Sequence, residues 1–427
     1  MSNIINQFTK LKKRGALYIF AGTFITKFVA FFGSIFLVRV LSKEEFGMLS
    51  YIENIYSYVY IIAGMGLANS ILRYVILGKS VEEKYGYYLY ALKKGLLFNF
   101  ILIIGAALIV YFFPHPDSLK STRWLIILVI MMLPFQHLID DNLYTIRAMF
   151  DNKRYAISSF MFTFTLITSR YLGAILWNLK GVIAAKMFIN IFWGMILCFT
   201  TYKLYFRKIK PTTLSYVDRR TVDKYSIQYM ITNGIWAIFM LNDVFLLGQL
   251  CGDSTVLADY KVAYVLPGNL SILSTAIGVF IGPYFVRHEN DNEWVRKNYL
   301  RTYRITASLV GFSAIILYIF AKPIITILYG LEYINVIPIM RLLTIAAFIN
   351  SGLRFTTAHV MASMGQIKYN MIVSFLGMLI QISANIFIIP IFGTVGVAWT
   401  SIGVYLFMAV VLFVIFAKKY DLKALKI

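Results

Sequence analysis

Long apolar runs recur along the whole chain and are separated by short polar segments. The run from Ala156 to Trp177 is representative, because at 1.5 Å per residue it is long enough to cross a bilayer. Runs of this kind lack the alternation of a barrel strand, and they predict transmembrane helices. The hydropathy pattern predicts twelve helices, at residues 17–41, 50–77, 95–113, 124–149, 156–177, 182–204, 225–250, 256–286, 299–320, 334–362, 369–391 and 395–417.

The composition agrees with this pattern. Hydrophobic residues make up 59% of the 427 residues and charged residues 14%, and the mean hydropathy is +0.73. These values are outside the range of soluble globular proteins. We therefore expect an all-α polytopic membrane protein, and the even spread of the spans excludes an attached extramembranous enzyme domain.

Lysine and arginine are concentrated in alternate loops, which predicts the orientation of the chain. One set of loops, with both termini, holds 28 of these residues, whereas the opposite set holds five. The positive-inside rule therefore places both termini in the cytoplasm. The formal charge of +22 is spread between spans rather than gathered in a stripe, so nucleic acid is not the expected partner.

Three short matches suggest that the chain is a duplication. Residues 36–51 align with 245–260 at an offset of 209, residues 148–155 with 362–369 at 214, and residues 179–182 with 394–397 at 215. We infer two homologous six-helix lobes, residues 1–208 and 209–427. Because six is an even number, the lobes enter the membrane in the same sense and form a parallel repeat, an arrangement typical of secondary transporters with alternating access.

No nucleotide, metal or cofactor motif supplies another energy source. The segment Gly78–Ser80 resembles the end of a P-loop, but Arg73 stands where that motif requires glycine. The four histidines lack the spacing of metal ligands. The sequence therefore predicts neither a metal site nor a cofactor, and an ion gradient or the membrane potential remains as the energy source.

Eight basic residues fall inside predicted spans. Lys27, Arg170 and Arg354 lie deep, about 15, 21 and 30 Å along their helices. Facing lipid, they would together cost about 9 kcal/mol, so we expect them to face protein or water. The others, Arg39, Arg73, Lys186, Lys261 and Arg341, lie near a boundary where long side chains can reach the interface.

Acidic residues in the spans are fewer: Glu53, Asp140, Asp141, Asp243 and Asp259. Each could pair with a nearby cation, but the cations outnumber them. A surplus of positive charge in a cleft inside the membrane favours an anionic cargo such as a phosphate.

Gly64 and Gly66 in the second span are interpreted as sites of close packing or bending.

The chain resembles the polysaccharide flippases of the multidrug/oligosaccharidyl-lipid/polysaccharide exporter superfamily, particularly the translocases of O-antigen and capsule repeat units. The resemblance covers the chain from end to end. It is carried by RVLSKEEFGMLSY (39–51), GMGLANSILRY (64–74), ILYGLEY (327–333), MASMGQIKYN (361–370) and IPIFGTVGVAWTS (389–401).

The resemblance implies a flippase that moves an undecaprenyl-diphosphate-linked oligosaccharide to the outer leaflet of the bacterial cytoplasmic membrane, with spans 1, 2, 7 and 8 lining a central cleft. It also implies a polysaccharide polymerase and a chain-length regulator as partners, besides the lipid bilayer. The predicted substrate-binding residues are Lys27, Arg39, Arg73, Arg170, Lys261 and Arg354. Glu53 and Asp243 are the predicted ion-coupling residues, for H⁺ or Na⁺.

Two alternatives stay open. A drug or metabolite antiporter of the same superfamily would need a more acidic or apolar cleft, which the charge surplus disfavours. A membrane-embedded polysaccharide polymerase or glycosyltransferase usually needs a sizeable loop with acids or metal ligands, and the outer loops here are short. We therefore expect a transporter rather than an enzyme.

Overall fold

The computed structural model describes residues 16–421, with the backbone alone for residues 16–24 and Val279. The regular structure in this range is helical. The α-helices are α1 Ala16–Val40, α2 Lys43–Ile61, α3 Leu67–Leu77, α4 Val81–Phe112, α5 Thr122–Ile130, α6 Leu133–Ala148, α7 Asn152–Thr201, α8 Tyr216–Cys251, α9 Ser254–Asn269, α10 Ser271–Arg287, α11 Asn292–Ile319, α12 Ala321–Leu328, α13 Ile337–Phe348, α14 Phe355–Ser363 and α15 Ile367–Lys419. The basic N-terminal segment and the last six residues, which contribute to the predicted sidedness, lie outside the described residues.

The helices account for each of the twelve predicted spans. In the described range, seven helical stretches are long and apolar enough to cross a membrane, or nine when each bent pair counts as one span. Two of these stretches, which contain α7 and α15, turn back on themselves and supply two spans each. The 25-residue apolar helix α1 supplies the remaining one. The predicted all-α polytopic membrane fold is confirmed.

A tight turn divides α7 into two antiparallel arms. The turn lies at Trp177 and Asn178, and Asn178 has φ 51° and ψ −137°. Gly173 and Gly181 then lie so close together that a Cβ atom on either would overlap the carbonyl group of the other. The hairpin therefore depends on two positions without side chains.

The same turn recurs in α15 and supports the duplication. Gly393 has φ 54° and ψ −135°, and it lies 215 residues after Asn178. The helix end before each hairpin also repeats at 215, since Phe150 and Gly365 both have positive φ and equivalent backbone hydrogen bonds follow. The offset of 214 predicted for residues 148–155 is therefore wrong by one residue, because the sequence match pairs Phe150 with Met364, whereas the backbone geometry pairs it with Gly365.

The second span is bent between α2 and α3. Ser42 caps α2 in a reciprocal arrangement with Glu45. The span breaks at Ala63–Gly66 and changes direction by 50°. The bending predicted for Gly64 and Gly66 is thus present, and both residues have positive φ, the region that glycine adopts without steric cost.

The described chain divides into two compact units. The first comprises the residues up to His115 together with Lys120–Gly234, and the second comprises Pro116–Leu119 with the residues from Ile235 onward. These units are defined by packing, whereas the predicted boundary after residue 208 is defined by the sequence repeat. That boundary therefore stays a prediction.

Each unit has its own apolar core. In the first unit, Tyr85 and Phe206 stack with ring centroids 4.4 Å apart beside buried Leu67 and Ile71. In the second unit, Tyr299 and Phe416 stack at 3.9 Å beside buried Met408. Aromatic pairs of this kind contribute about 0.5–1.5 kcal/mol beyond the area that they bury.

Large apolar side chains are exposed on the outer faces of the helices. On α4 they include Leu97, Ile101, Ile104, Leu108 and Phe112, each more than half exposed. A continuous exposed stripe of this kind is unfavourable in water and favourable in lipid. The stripe therefore marks a lipid-facing surface.

Candidate functional site

Three charged side chains meet inside the first unit. Arg170 Nη2 lies 2.7 Å from Glu53 Oε1, and Lys186 Nζ lies 3.4 Å from the same oxygen. The two cationic side chains are about 15% exposed, whereas Glu53 is 34% exposed. One carboxylate thus serves two cations, and this cluster carries a net charge of +1.

The hairpin of α7 brings these cations together. Arg170 and Lys186 lie eight residues before and after Asn178, so they reach the same level on the two antiparallel arms. The close contact between Gly173 and Gly181 keeps the arms near each other. Glu53 comes from α2, whose first turn also accepts a backbone hydrogen bond from Leu179, at 3.5 Å from Glu45 Oε1.

Aromatic side chains extend the cluster along α2. Lys186 Nζ lies 4.8 Å from the centroid of the Tyr56 ring, a cation–π contact. Tyr56 stacks on Tyr60 at 6.0 Å, and Tyr60 donates a hydrogen bond of 2.6 Å to Asp140. Residues 53, 56 and 60 share one face of the helix, as their spacing requires.

Arg170 retains hydrogen-bonding capacity. Its Nη2 binds Glu53, but its buried Nε has no hydrogen-bond partner among the described residues. An arginine presents its donors in a planar fork that fits two oxygens of a phosphate. The Nε of Arg170 is therefore a donor of this cluster that the described residues leave unsatisfied.

A second polar cluster surrounds Asp243 in the second unit. Tyr260 donates to Asp243 Oδ2 at 2.7 Å, while Gln381 and Asn385 donate to Oδ1 at 3.0 and 2.9 Å. Asn242 joins the cluster by donating to Gln381 at 3.0 Å. Each of these contacts to the carboxylate comes from an uncharged group, so the cluster satisfies hydrogen bonds without neutralising the charge.

Arg354 is buried in the second unit, with 3% exposure. Its guanidinium donates to Asn350 at 3.0 Å and to Ser374 at 3.0 Å, and it lies 4.6 Å from the centroid of the Trp236 ring. A π-helical turn at Ile349–Arg354 directs this side chain inward. Arg354 does face protein as expected, but it is enclosed by uncharged groups in this structure.

The structure places the other four predicted substrate-binding residues on three different helices. Lys27 and Arg39 are exposed on α1, Lys261 is half-buried on α9, and Arg73 is exposed on α3. The guanidinium of Arg73 lies 5.2 Å from the centroid of the Tyr225 ring. Of the predicted site residues in the first unit, the structure therefore brings together Arg170 and Glu53.

Sequence reasoning missed Lys186, Gln381 and Asn385 as site residues. The position of Lys186 near a span boundary suggested that it reaches the interface, whereas its ammonium group contacts Glu53. Residues 170 and 186 are equally distant from the link between spans 5 and 6, and this symmetry could have indicated that their side chains meet. Gln381 and Asn385 are polar residues one helical turn apart in an apolar run, and this spacing could have indicated a shared polar site.

Solved structures with the same fold are transporters. An inward-facing multidrug resistance MATE family transporter of the MOP superfamily matches with a TM-score of 0.73 at 12% identity, over 94% of this chain and 96% of that chain. The lipid II flippase MurJ in an inward closed conformation matches with a TM-score of 0.72 at 16% identity, over 95% and 89%. A MOP superfamily transporter from Pyrococcus furiosus matches with a TM-score of 0.64 at 13% identity, over 96% of both chains.

A comparison with curated proteins gave no match. The structural matches have low identity, so they show the fold rather than a cargo. A family assignment comes from the sequence, because residues 36–338 match the family described as polysaccharide biosynthesis protein. This match covers most of the chain and includes the helices that carry the Glu53 cluster and Asp243. The chain therefore belongs to the polysaccharide biosynthesis protein family and has the fold of the MOP superfamily transporters.

Proposed function

We propose that this protein flips an undecaprenyl-diphosphate-linked oligosaccharide, the repeat unit of an O antigen or another surface polysaccharide, by alternating access. Transport runs from the inner to the outer leaflet of the bacterial cytoplasmic membrane. The observation that carries the proposal is the sharing of Glu53 by Arg170 and Lys186 inside the spans. Family membership and the fold shared with a lipid II flippase support it.

A diphosphate suits the electrostatics of this cluster. An uncompensated cation in a membrane-spanning segment is unfavourable unless it has a water-filled or anionic surrounding. A phosphate oxygen bound at Arg170 would occupy the free Nε donor and balance the extra positive charge. The oligosaccharide follows the diphosphate, while the polyprenyl chain stays in lipid.

The membrane potential can drive this export. With the cell interior negative, two negative charges that move outward through the full field gain about 4.6 kcal/mol per 100 mV. An anionic cargo therefore travels down the electrical gradient, which an organic cation exported by an antiporter does not.

Asp243 is the carboxylate that we propose for coupling to H⁺ or Na⁺. Its oxygens are bound by neutral donors, so a cation or proton there would meet an uncompensated negative charge. Asp243→Asn keeps the shape and removes the charge. We expect that variant to lose the stimulation of transport by an imposed ion gradient. The coupling role of Glu53 stays a prediction, because two cations already bind its carboxylate.

The proposed location in the cytoplasmic membrane includes an orientation and two protein partners. Both termini face the cytoplasm in this proposal, as the distribution of lysine and arginine predicts. A polysaccharide polymerase and a chain-length regulator act on the exported repeat unit, so they are the proposed protein partners.

The proposal is tested by complementing a bacterial strain whose own repeat-unit flippase has been deleted. Each variant is compared at equal protein level for surface polymer and for lipid-linked repeat units held in the inner leaflet. Arg170→Ala and Lys186→Ala each remove a contact worth about 1.5–3 kcal/mol, so we expect export to fall roughly tenfold to a hundredfold. Lys180→Ala, which removes an exposed cation from the same hairpin, is the matched control.

Full export by the Arg170→Ala/Lys186→Ala double variant would contradict the assigned site. The wild-type chain must also clear lipid-linked units from the inner leaflet, and failure to do so would favour the antiporter alternative. Restoration of polymer by an unrelated flippase in the deletion strain would exclude a polymerase role for this chain.

A further inference from the structure

The break in the second span is packed against a buried histidine. Gly64, Met65 and Gly66 all have positive φ, and this conformation is unfavourable for Met65 because it has a Cβ atom. The backbone N–H of Gly64 donates to Asn99 Oδ1 on α4 at 2.7 Å. The structure thus holds three consecutive left-handed residues in place by contacts from other helices.

His137 of α6 fills the notch that this break creates. A Cβ atom on Gly64 would lie 2.6 Å from His137 Nδ1, and one on Gly95 of α4 would overlap the other ring nitrogen. The imidazole therefore contacts the backbone of both elements directly. A change in the charge or the hydration of the ring would therefore alter its direct contacts with the backbone of the break.

Asp141 lies one turn further along α6 and completes a buried pair. Its Oδ2 lies 3.2 Å from His137 Nε2, and the two side chains are 4% and 0% exposed. Neither Asp141 oxygen has a hydrogen-bond partner of good geometry among the described residues. The neighbouring Asp140 differs, since Tyr60 and Gln136 donate to its two oxygens at 2.6 and 2.9 Å.

One proton makes this pair electrically neutral. With it, the pair is either an imidazolium beside a carboxylate or an imidazole beside a carboxylic acid. Without it, the pair has one negative charge that is buried and has no compensating donor, which is strongly unfavourable. The packed geometry therefore binds the proton more tightly than a geometry that admits water.

The surrounding titratable groups supply no counter-charge to Asp141. Tyr88 on α4 interacts with Asp141, and it contacts Cys198 on α7 at 3.9 Å. On α6 itself, Asp140 interacts with Asp141, and Tyr144 interacts with Asp140. Arg73 on α3 lies over Tyr225 instead. Within the described part of the chain, a proton is the neutralising group that fits this fully enclosed site.

We propose that His137 and Asp141 form a proton-binding site, and that the bound proton stabilises the break at Gly64–Gly66 in the packed geometry. By linkage, loss of the proton favours a geometry in which water reaches the pair and the break rearranges. This inference rests on the proposed function for its purpose, because it gives the flippase a conformational change linked to the proton gradient. The site includes neither Glu53 nor Asp243, and Tyr60 and Asp140 link it to the Glu53 cluster.

The test is hydrogen exchange of the amides at residues 62–67, measured on the purified full chain at a series of pH values without any glycolipid. After correction for the intrinsic pH dependence of exchange, we expect protection of these amides to fall at least tenfold as the pH rises through the titration. Asp141→Asn removes the titrating carboxylate, so its protection should not change with pH. Asp140→Asn, which removes the neighbouring acid whose two oxygens accept hydrogen bonds, should keep the wild-type dependence.

Infrared difference spectroscopy gives a second readout that does not depend on the break. The wild-type chain and Asp140→Asn should show a carboxylic-acid or imidazolium band that titrates with the exchange transition, and His137→Gln should shift it. The proposal is overturned if protection in the wild type is independent of pH, if Asp141→Asn retains the dependence, or if Asp140→Asn abolishes it. If Asp141→Asn does not fold, His137→Gln decides the question, because a shift or a loss of the pH dependence in this variant supports the site and an unchanged dependence refutes it.

These measurements use no substrate, so they separate this inference from the cargo. A chain that transports no lipid-linked glycan can still show the transition, and a chain that exports glycan can lack it.

Discussion

Glu53 compensates two cations, so its removal has a different effect from the removal of either cation. In Glu53→Gln, both Arg170 and Lys186 lose their common carboxylate. Because Glu53 is one-third exposed, we expect a loss of about 1–3 kcal/mol in the free energy of unfolding, below the value for a fully buried pair. Thermal unfolding of the purified chain in detergent measures this change.

The matched control is Glu44→Gln, which removes an exposed carboxylate from the first turn of the same helix. We expect a change within about 0.5 kcal/mol there. Equal stability of the two variants would show that Glu53 does not hold the two cations.

His115 gives a pH dependence of stability outside the spans. Its Nε2 donates to the Val110 carbonyl at 3.0 Å, and Tyr51 donates to Nδ1 at 3.3 Å, so the ring is bound in its neutral form. Burial lowers the pKa of His115 below its ordinary value of 6.5. The unfolded chain then binds the proton more readily, and the stability contributed by this residue falls as the pH drops below about 6.5.

We expect the wild type to lose more stability than His115→Gln between pH 8 and pH 5. Above about pH 8 the His115 titration contributes almost no slope, because the ring is then almost entirely neutral in both states. Denaturant unfolding at each pH measures the difference, and parallel pH profiles of the two proteins would refute the role of His115.

At the scale of helices, the α7 hairpin determines whether Arg170 and Lys186 meet. In Gly173→Ala, the added methyl group would overlap the Gly181 carbonyl, which is backbone and cannot move aside alone. We expect the arms to separate, with a cost of about 1–3 kcal/mol and loss of the Glu53 contacts. Folded yield, thermal stability and export measure the effect.

Gly105→Ala on α4 is the control, because no heavy atom lies within 4 Å of the added Cβ. Alanine is favoured over glycine inside a helix by about 0.5–1 kcal/mol, so this variant should be as stable as the wild type or slightly more stable. A Gly173→Ala variant that behaves like Gly105→Ala would show that the hairpin tolerates separation.

Hydropathy identified the elements because insertion into lipid depends on length and composition. The same measure gives no information about rotation of a helix about its axis. Arg170 and Lys186 were both placed inside spans, but their meeting at Glu53 depends on the turn at Asn178 and on two small residues. The bend at Gly64 could be predicted because glycine often occurs where a helix bends. The positive φ of Met65 could not be predicted from its residue type.

For the whole molecule, the internal repeat was predictable, but its register only in part, since the match of residues 179–182 gave the offset of 215 and the match of residues 148–155 did not. Sequence matches suggested offsets of 209 to 215, and the structure gives 215 for the hairpin turn and the preceding helix end. Sequence drift obscures the register, since Phe150 in the first half occupies the position of Gly365 in the second. Backbone geometry is retained there although the residue that suits it is not.

Transport by the whole molecule should depend on the membrane potential. An export of two negative charges gains about 4.6 kcal/mol per 100 mV, so collapse of the potential at constant pH gradient should slow export strongly. Proteoliposomes with a potassium diffusion potential and a fluorescent lipid-linked glycan measure the effect. An export rate that rises when the potential is collapsed would contradict an anionic cargo.

The hairpins have a practical consequence for experiments on sidedness. The arms of α7 are joined by Trp177 and Asn178 alone, so an epitope inserted there would force the arms apart. Lys210 and Pro211 lie in an exposed non-helical segment instead. An epitope between these two residues should leave the helices intact and report which side of the membrane this segment faces.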